Sequence, residues 1–356
     1  MEPSRRELLS HLVFGATLLP AFLRSPRSIL GHLLFDPQGS IVPTKALPAN
    51  PFIRNGKSVV AIVHGKDPRT MLQAGLDLLG GVEQLKSAGK RVMIKPNVLN
   101  NRPPPSTTNP SVIEAAVEIV NKAGAADIIV GDGSGIIRMP TSENLRATGI
   151  QAAAERAGAT VMAVEEQPWV CVEPPLASVL KRYYLSKPVY EADIVINMPV
   201  IKTHRFAEYS CGLKNVVGVI HPRYRPSVTF LSGSWHERIA ELNLAVHPHL
   251  TIADGTTIMI AGGPTSGTPA STDVLVLSGD RVAIDLVAIA LLRSYGAWPK
   301  LRGKRIEDQR LIAHAAGLGL GTSDARRIDL VSRSIEGKVP IFEQLMDTIR
   351  RDIFNR

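Results

Sequence analysis

The sequence predicts an α/β protein with a mainly parallel sheet, helices on both faces and a single large domain. Short β-branched runs alternate with segments of helical periodicity from about residue 52 onward. That alternation is typical of parallel strands joined by crossover helices. The length of 356 residues and the hydrophobic content of 44% are enough for one large core.

The strands follow from apolar runs bounded by turn residues. They are predicted at residues 59–63, 91–95, 126–130, 160–164, 193–197, 250–253 and 274–277. Pro96 ends the second strand because proline cannot donate to the ladder. Asn109 followed by Pro110 is a favoured helix start, and the apolar stripe behind it runs to Gly124. Further helices are predicted at 71–88, 141–158, 282–292 and 342–349.

The N-terminal residues indicate export. Arg5 and Arg6 precede an apolar run at 12–23, a pattern that resembles a twin-arginine signal. Residues 1–35 are therefore predicted to be a signal segment. The predicted location is the periplasm or the outer face of the cytoplasmic membrane. The run is shorter than the roughly 20 residues of a membrane-spanning helix. If the signal segment is not cleaved, it would act as a membrane tether. The alternative is that the segment forms an amphipathic helix of a cytoplasmic protein.

The remaining boundaries follow from composition. Residues 36–51 contain several prolines and no periodicity and are predicted to be a linker. The α/β domain is predicted at 52–336, and 337–356 forms a C-terminal helix on the surface.

Charge and cysteine content restrict the classes of ligand and cofactor that the chain is expected to bind. The formal charge is +9, but the basic residues are scattered without interleaved aromatics, which argues against nucleic acid and favours a small anionic molecule. The two cysteines, Cys171 and Cys211, cannot hold a four-cysteine iron–sulfur cluster.

Polar residues follow the predicted strands, and the carboxyl ends of strands are where open α/β sheets bind ligands. Lys95, Lys202 and Lys214 are predicted to hold an anion. Asn97 and Asn215 would orient it through amide hydrogen bonds.

Three further residues are candidates at the same edge. His204, in what is predicted to be a Lys-Thr-His turn, is the candidate proton carrier or metal ligand, and Lys202 and Asp132 complete the predicted catalytic set. Asp132 could instead stabilise its turn. Asp254, in an Asp-Gly-Thr segment after a predicted strand, is a candidate ligand-binding carboxylate.

Motif spacing bears on two kinds of cofactor site, a dinucleotide site and a metal site. Gly131, Gly133 and Gly135 lack the Gly-x-Gly-x-x-Gly spacing of a dinucleotide site. His204, Cys211 and His221 have donor atoms that suit a divalent metal, although their spacing matches no metal motif.

Several of these segments together resemble one family, the domain of unknown function 362 family. They are the Lys-Pro-Asn segment at 95–97, Thr-Asn-Pro at 108–110, Met-Pro-x-x-Lys-Thr-His at 198–204 and Cys-Gly-Leu-Lys-Asn at 211–215. The resemblance covers about residues 59–292. It implies functional positions at Lys95, Asn97, Lys202 and His204. Some members are fused to iron–sulfur ferredoxin segments, but this chain lacks a cysteine cluster.

The sequence therefore predicts an exported protein that binds a small anionic substrate or a metal-containing cofactor at the strand ends. Lysines, a histidine and an aspartate at such an edge favour an enzyme of undetermined reaction. The alternative is a non-catalytic ligand-binding or cofactor-carrier protein.

Overall fold

The computed structural model of the protein describes residues 38–226, 233–297 and 299–354. The predicted signal segment at 1–35 lies outside these ranges. Strands, in chain order, are β1 Ile41–Val42, β2 Ile53–Arg54, β3 Lys57–His64, β4 Arg91–Pro96, β5 Asp127–Asp132, β6 Thr160–Ala163, β7 Trp169–Val172, β8 Tyr183–Ser186, β9 Ile194–Met198, β10 Val200–His204, β11 Glu208–Ser210, β12 Leu250–Gly262, β13 Gly267–Ser278 and β14 Ile328–Ser334.

Helices connect most of these strands. The α-helices are α1 Pro68–Leu79, α2 Pro110–Lys122, α3 Thr141–Ala147, α4 Ile150–Arg156, α5 Lys187–Glu191, α6 Gly212–Asn215, α7 Trp235–Leu242, α8 Arg281–Ser294, α9 Arg310–Gly317 and α10 Pro340–Phe354. Short 3-10 segments lie at Val82–Leu85, Ile136–Arg138, Val164–Glu166, Val216–Val219, Pro222–Tyr224, Pro299–Leu301, Ile306–Asp308 and Ala325–Arg327.

The large sheet has the strand order β14-β3-β13-β12-β9-β4-β5-β6. Every neighbouring pair on this path is parallel except the pairs that involve β13, which is antiparallel to β3 and β12. The prediction of a mainly parallel α/β sheet is therefore confirmed. A smaller sheet of order β1-β7-β8 is described separately from it.

Side chains on both faces of the large sheet are buried, as expected for a parallel sheet covered by helices. In β3, Val60 and Ile62 belong to a core that includes Ile284 of α8. The alternate residue Ala61 belongs to a second core with Ile113 of α2. Successive strand residues point to opposite faces, so the helices cover both sides of the sheet.

Two segments predicted to lie beyond strand ends are within strands. Lys202, Thr203 and His204 are in β10, which pairs with β11 and β12. Pro199 separates β9 from β10, and both strands lie alongside the long β12. The segment 254–256 is inside β12, where the register shifts between Gly255 and Thr257. The Lys-Thr-His turn and the strand end at residue 253 were therefore wrong.

Other elements differ from the predictions as well. The predicted linker contains β1, which pairs with β7. The hairpin of β7 and β8, and β14, were missed because their short or mixed-polarity runs give a weak signal. Helix α10 is longer than predicted and packs on α8 through buried residues, so it does not merely lie on the surface. Among the described residues, no helix combines the length and hydropathy needed to cross a bilayer.

Candidate functional site

The candidate site lies where the carboxyl ends of β4, β5 and β9 meet β10 and α6. Lys95 of β4 is the register partner of Asn197 of β9, which places both beside the end of β5. This convergence follows from the parallel pairing of the three strands.

Lys95 and Asp132 form a buried ion pair. Lys95 is 1% exposed, and its Nζ donates to Asp132 Oδ1 at 2.6 Å and to the Pro96 carbonyl at 3.0 Å. Asp132 Oδ2 accepts from the Val98 backbone N–H at 2.7 Å. Burial lowers the pKa of Lys95 even though Asp132 acts in the opposite direction. Asp132 is therefore the counterion of Lys95, and the Lys95 ammonium is already compensated.

Two glycines give the ion pair its space. A Cβ on Gly218 would collide with Asp132 Oδ1 and approach Lys95 Nζ. A Cβ on Gly133 would collide with the guanidinium of Arg225, which donates to the Gly218 and Ser134 carbonyls. The Gly-rich segment at 131–135 thus allows close approach around the ion pair.

Three asparagines form a chain of amide hydrogen bonds across the strand ends. Asn215 Nδ2 donates to Asn197 Oδ1 at 2.8 Å, and Asn97 Nδ2 donates to Asn215 Oδ1 at 3.0 Å. Asn197 Nδ2 donates to the Gly212 carbonyl at 2.9 Å. This chain joins β4 and β9 to α6 and leaves the Asn97 carbonyl oxygen free to accept from another group.

Lys202 uses that oxygen. Its Nζ donates to Asn97 Oδ1 at 2.7 Å and to the Ser106 carbonyl at 2.8 Å, and the residue is 1% exposed. Burial lowers the pKa of Lys202 to about 7; Lys214 and Lys95 act in the same direction, and the Asp132 charge acts in the opposite one. An ammonium has three N–H donors, so one remains without a protein acceptor.

Lys214, on α6, is half-buried and has no hydrogen bond or ion pair with any residue in the described parts of the chain. Burial lowers its pKa to about 8, and Lys95 contributes in the same direction. Lys202 and Lys214 together form the lysine pair. Within the described ranges, neither member of the lysine pair has a carboxylate partner.

His204 supplies a neutral donor beside the lysine pair. Its Nδ1 accepts from the Phe206 and Ala207 backbone N–H groups at 3.2 and 3.0 Å, which places the ring proton on Nε2. Burial, followed by Lys214 and Lys202, lowers the pKa of His204 well below its ordinary value. The imidazole is therefore uncharged at neutral pH, and in the described structure its Nε2–H has no protein acceptor.

Asp285 of α8 holds α6 in position. Its carboxylate accepts from the Gly212 and Leu213 backbone N–H groups at 2.7 and 3.2 Å and from the Tyr209 hydroxyl at 3.0 Å. Burial raises the pKa of Asp285 to about 7. Burial, followed by Asp285, raises the pKa of Cys211 well above its ordinary value, so Cys211 is a buried thiol.

The other predicted site residues lie in structural positions. Both oxygens of Asp254 are used by the Asn109 backbone and by Thr256, which fixes the segment before α2. His221 Nδ1 accepts from the Arg223 N–H, and the ring packs edge-on against Trp169.

The predicted metal set is not brought together. In residues 38–226, 233–297 and 299–354, no group of three or more His, Cys, Asp or Glu side chains could hold a metal ion. His204, Cys211 and His221 are accounted for by backbone contacts and by Asp285, and we do not assign them as metal ligands.

A cavity of about 470 Å³ lies elsewhere, at the amino end of α8. Its lining includes Asp280 and Arg281. The Asp280 carboxylate already caps α8 through the Val282 and Ala283 N–H groups. The cavity is therefore separate from the lysine pair.

The sequence predictions missed three residues that complete the site. Asn197 was visible as the last residue of a predicted strand, where polar residues are informative. Asp285 was visible as a lone acid in an apolar helical run. Ser106 contributes only its carbonyl, which no side-chain pattern could reveal.

The chain matches the family described as domain of unknown function 362 across residues 92–290, which is more than half of its length. The chain belongs to this family. The matched range contains Lys95, Asp132, the lysine pair and His204.

One relative is a thylakoid-associated protein of Synechocystis sp., which is 28% identical over 235 residues that cover 62% of this chain and 69% of the relative. A solved structure, the lactate racemase apoprotein of Thermoanaerobacterium thermosaccharolyticum, superposes with a TM-score of 0.43 at 12% identity. That superposition covers 70% of this chain and 61% of the length of the solved one.

Proposed function

We propose that the protein binds a small anion, such as a carboxylate or an oxyanion, between Lys202, Lys214 and His204. The observation that carries this proposal is the lysine pair: two ammonium groups that no carboxylate contacts, beside Lys95, which pairs with Asp132. A buried charge without a partner is costly, and a bound anion would remove that cost.

Each side chain has a distinct part in the proposed complex. Lys202 is fixed by Asn97 and Ser106 and offers its third N–H to the ligand. Lys214, which is more accessible, offers all three donors. The Nε2–H of His204 adds a neutral donor, and the asparagine chain keeps the acceptors of Lys202 in place.

Binding should weaken when either member of the lysine pair loses its charge. Lys214→Met keeps most of the side-chain volume and removes the ammonium. Because a hydrogen bond to a charged group contributes about 1.5–3 kcal/mol, we expect sulfate affinity to fall about tenfold to a hundredfold. Isothermal titration calorimetry with sulfate at pH 7 measures it.

Lys187→Met is the matched control, because Lys187 is exposed and paired with Glu191 on α5. Sulfate affinity should be unchanged in this variant. Equal affinity for sulfate in the Lys214→Met variant and the unmodified protein would contradict the proposal.

The uncharged His204 favours catalysis over simple carriage. A carrier of anions gains from a protonated imidazole, whereas a neutral Nε2–H is suited to stabilise negative charge that develops on a substrate oxygen. We therefore propose an enzyme, with a ligand carrier as the alternative.

We also propose a membrane-associated or extracytoplasmic location. The twin-arginine-like segment at 1–35 supports it, and the Synechocystis relative is named as thylakoid-associated. Replacement of Arg5 and Arg6 by lysine should retain the protein in the cytoplasm, which cell fractionation measures. Unchanged export would contradict this assignment.

A further inference from the structure

We propose that Lys214 reacts as an amine with the carbonyl carbon of a 2-oxo acid and forms an imine, while the Lys202 ammonium holds the carboxylate of that acid. This inference rests on the proposed anion site and names its substrate class. The two lysines differ in their contacts, and this difference suits Lys202 to hold the carboxylate and Lys214 to react.

Lys202 is suited to hold rather than to react. Two of its three N–H groups are fixed by Asn97 Oδ1 and the Ser106 carbonyl, and the side chain is almost fully buried. Its remaining donor therefore has a restricted direction. An anion at that donor keeps Lys202 protonated, because a nearby negative charge favours the ammonium form.

Lys214 is suited to react. It is half-buried and has no protein partner in the described structure, so its nitrogen can move to a ligand without breaking a hydrogen bond. Burial and the neighbouring Lys95 lower its pKa to about 8, so an appreciable fraction is the free amine near neutral pH. Desolvation beside a second cation is a known way to activate a lysine nucleophile.

The positions of Lys202 and Lys214 also restrict which ligands can contact both side chains. Asn97 accepts from Lys202 and donates to Asn215, the residue next to Lys214 on α6, so both lysines lie beside the same amide chain. A small ligand that gives its carboxylate to Lys202 and its carbonyl carbon to Lys214 has both groups close together, as a 2-oxo acid does.

The reaction is balanced without an oxidant or reductant. The Lys214 nitrogen forms a bond to the carbonyl carbon, and the π electrons move to the oxygen. The Nε2–H of His204 donates a hydrogen bond to that oxygen. Protons pass from the nitrogen to the oxygen, the C–O bond breaks, and water leaves as the C=N bond forms.

Reductive trapping tests the inference on the full chain. Pyruvate with sodium cyanoborohydride converts an imine to a stable secondary amine, which intact mass and peptide mapping locate. At pH 7.5 an amine of pKa about 8 has about two hundredfold more free base than an ordinary lysine. Lower nucleophilicity offsets part of this gain, so we expect at least about tenfold more adduct on Lys214 than on Lys187.

Three comparisons make the result specific. Acetone, which has a carbonyl but no carboxylate, should show a smaller preference for Lys214 over Lys187 than pyruvate does, because only the lower pKa of Lys214 favours it. Sulfate should protect Lys214 from pyruvate. Lys214→Arg should abolish the adduct at this position while sulfate still binds, because arginine keeps the charge but is not a carbonyl nucleophile.

Failure of this inference differs from failure of the anion site. If sulfate binds as proposed but pyruvate labels Lys214 no faster than Lys187, the imine is excluded and the anion site stands. If neither sulfate nor pyruvate binds, both are overturned.

Discussion

The Lys95–Asp132 ion pair provides the sharpest test of the site's internal electrostatics. Asp132→Asn removes the negative charge and leaves a lysine that is 1% exposed without a counterion. Removal of one partner from a buried pair costs about 3–5 kcal/mol. Because Lys95 can instead deprotonate, its charge can cost at most about 5 kcal/mol at pH 7. We therefore expect the free energy of unfolding to fall by about 3–5 kcal/mol.

Guanidinium unfolding at pH 7 measures this loss of stability. Two further variants serve as controls for its size. The double variant Lys95→Met with Asp132→Asn removes both charges, and the asparagine carbonyl can still accept from the Val98 N–H. Its stability should return to within about 2 kcal/mol of the unmodified protein. Glu191→Gln breaks an exposed pair with Lys187, at 3.4 Å, and should cost less than about 1 kcal/mol.

The loss in Asp132→Asn should also shrink as the pH rises toward 10, because Lys95 then becomes neutral in the unfolded state as well. A cost below about 1 kcal/mol at pH 7, or a double variant less stable than Asp132→Asn alone, would refute a desolvated ion pair at this position.

Three further predictions follow from the same geometry. Gly218→Ala should destabilise the protein by about 1–3 kcal/mol, because the methyl group collides with the Asp132 carboxylate, whereas Gly233→Ala, with open space around it, should change stability by less than about 0.5 kcal/mol in the same unfolding assay. Sulfate affinity should fall as the pH rises from 7 to 9, because the lysine pair titrates at about 7 and 8 and only its protonated form attracts the anion; an affinity independent of pH in calorimetry would count against this reading. Asp285 binds its proton more tightly in the folded state, so its contribution to stability declines as the pH rises from about 4 to 7; relative to the unmodified protein, Asp285→Asn should gain up to about 4 kcal/mol over that interval, and a constant difference would contradict it.

The strand-end argument correctly placed Lys95, Asn97 and Asp132 at one edge because it depends on a general property of parallel sheets. Lys95 lies near the carboxyl end of β4, Asn97 follows that strand and Asp132 ends β5, so all three lie at one edge of the sheet. The alternation of β-branched and helical segments was likewise enough for the fold class.

The sequence could not assign partners to these residues. Lys95 and Lys202 have similar settings in the sequence, yet one faces Asp132 and the other an asparagine and a carbonyl. That difference is set by packing between strands far apart in the chain. It decides which lysine can hold a ligand.

The same limit explains the wrong turn at 202–204. Pro199 is a local signal to end a strand, but β12 is long enough to pair with the chain on both sides of it. Asp254 lies inside a strand rather than after one for a related reason. Its strand continues past a register shift, and its carboxylate is used to fix the segment before α2.

The titration of the lysine pair is the most direct test of the central claim that two uncompensated ammonium groups share an anion site. Lysine side chains labelled with carbon-13 can be followed by NMR from pH 5 to 11, with Lys202→Met and Lys214→Met used for assignment. We predict one midpoint near 7 for Lys202 and one near 8 for Lys214, well below the ordinary 10.5, and a rise of both when sulfate is added. Midpoints near 10.5 for both residues, or midpoints that sulfate leaves unchanged, would contradict the account.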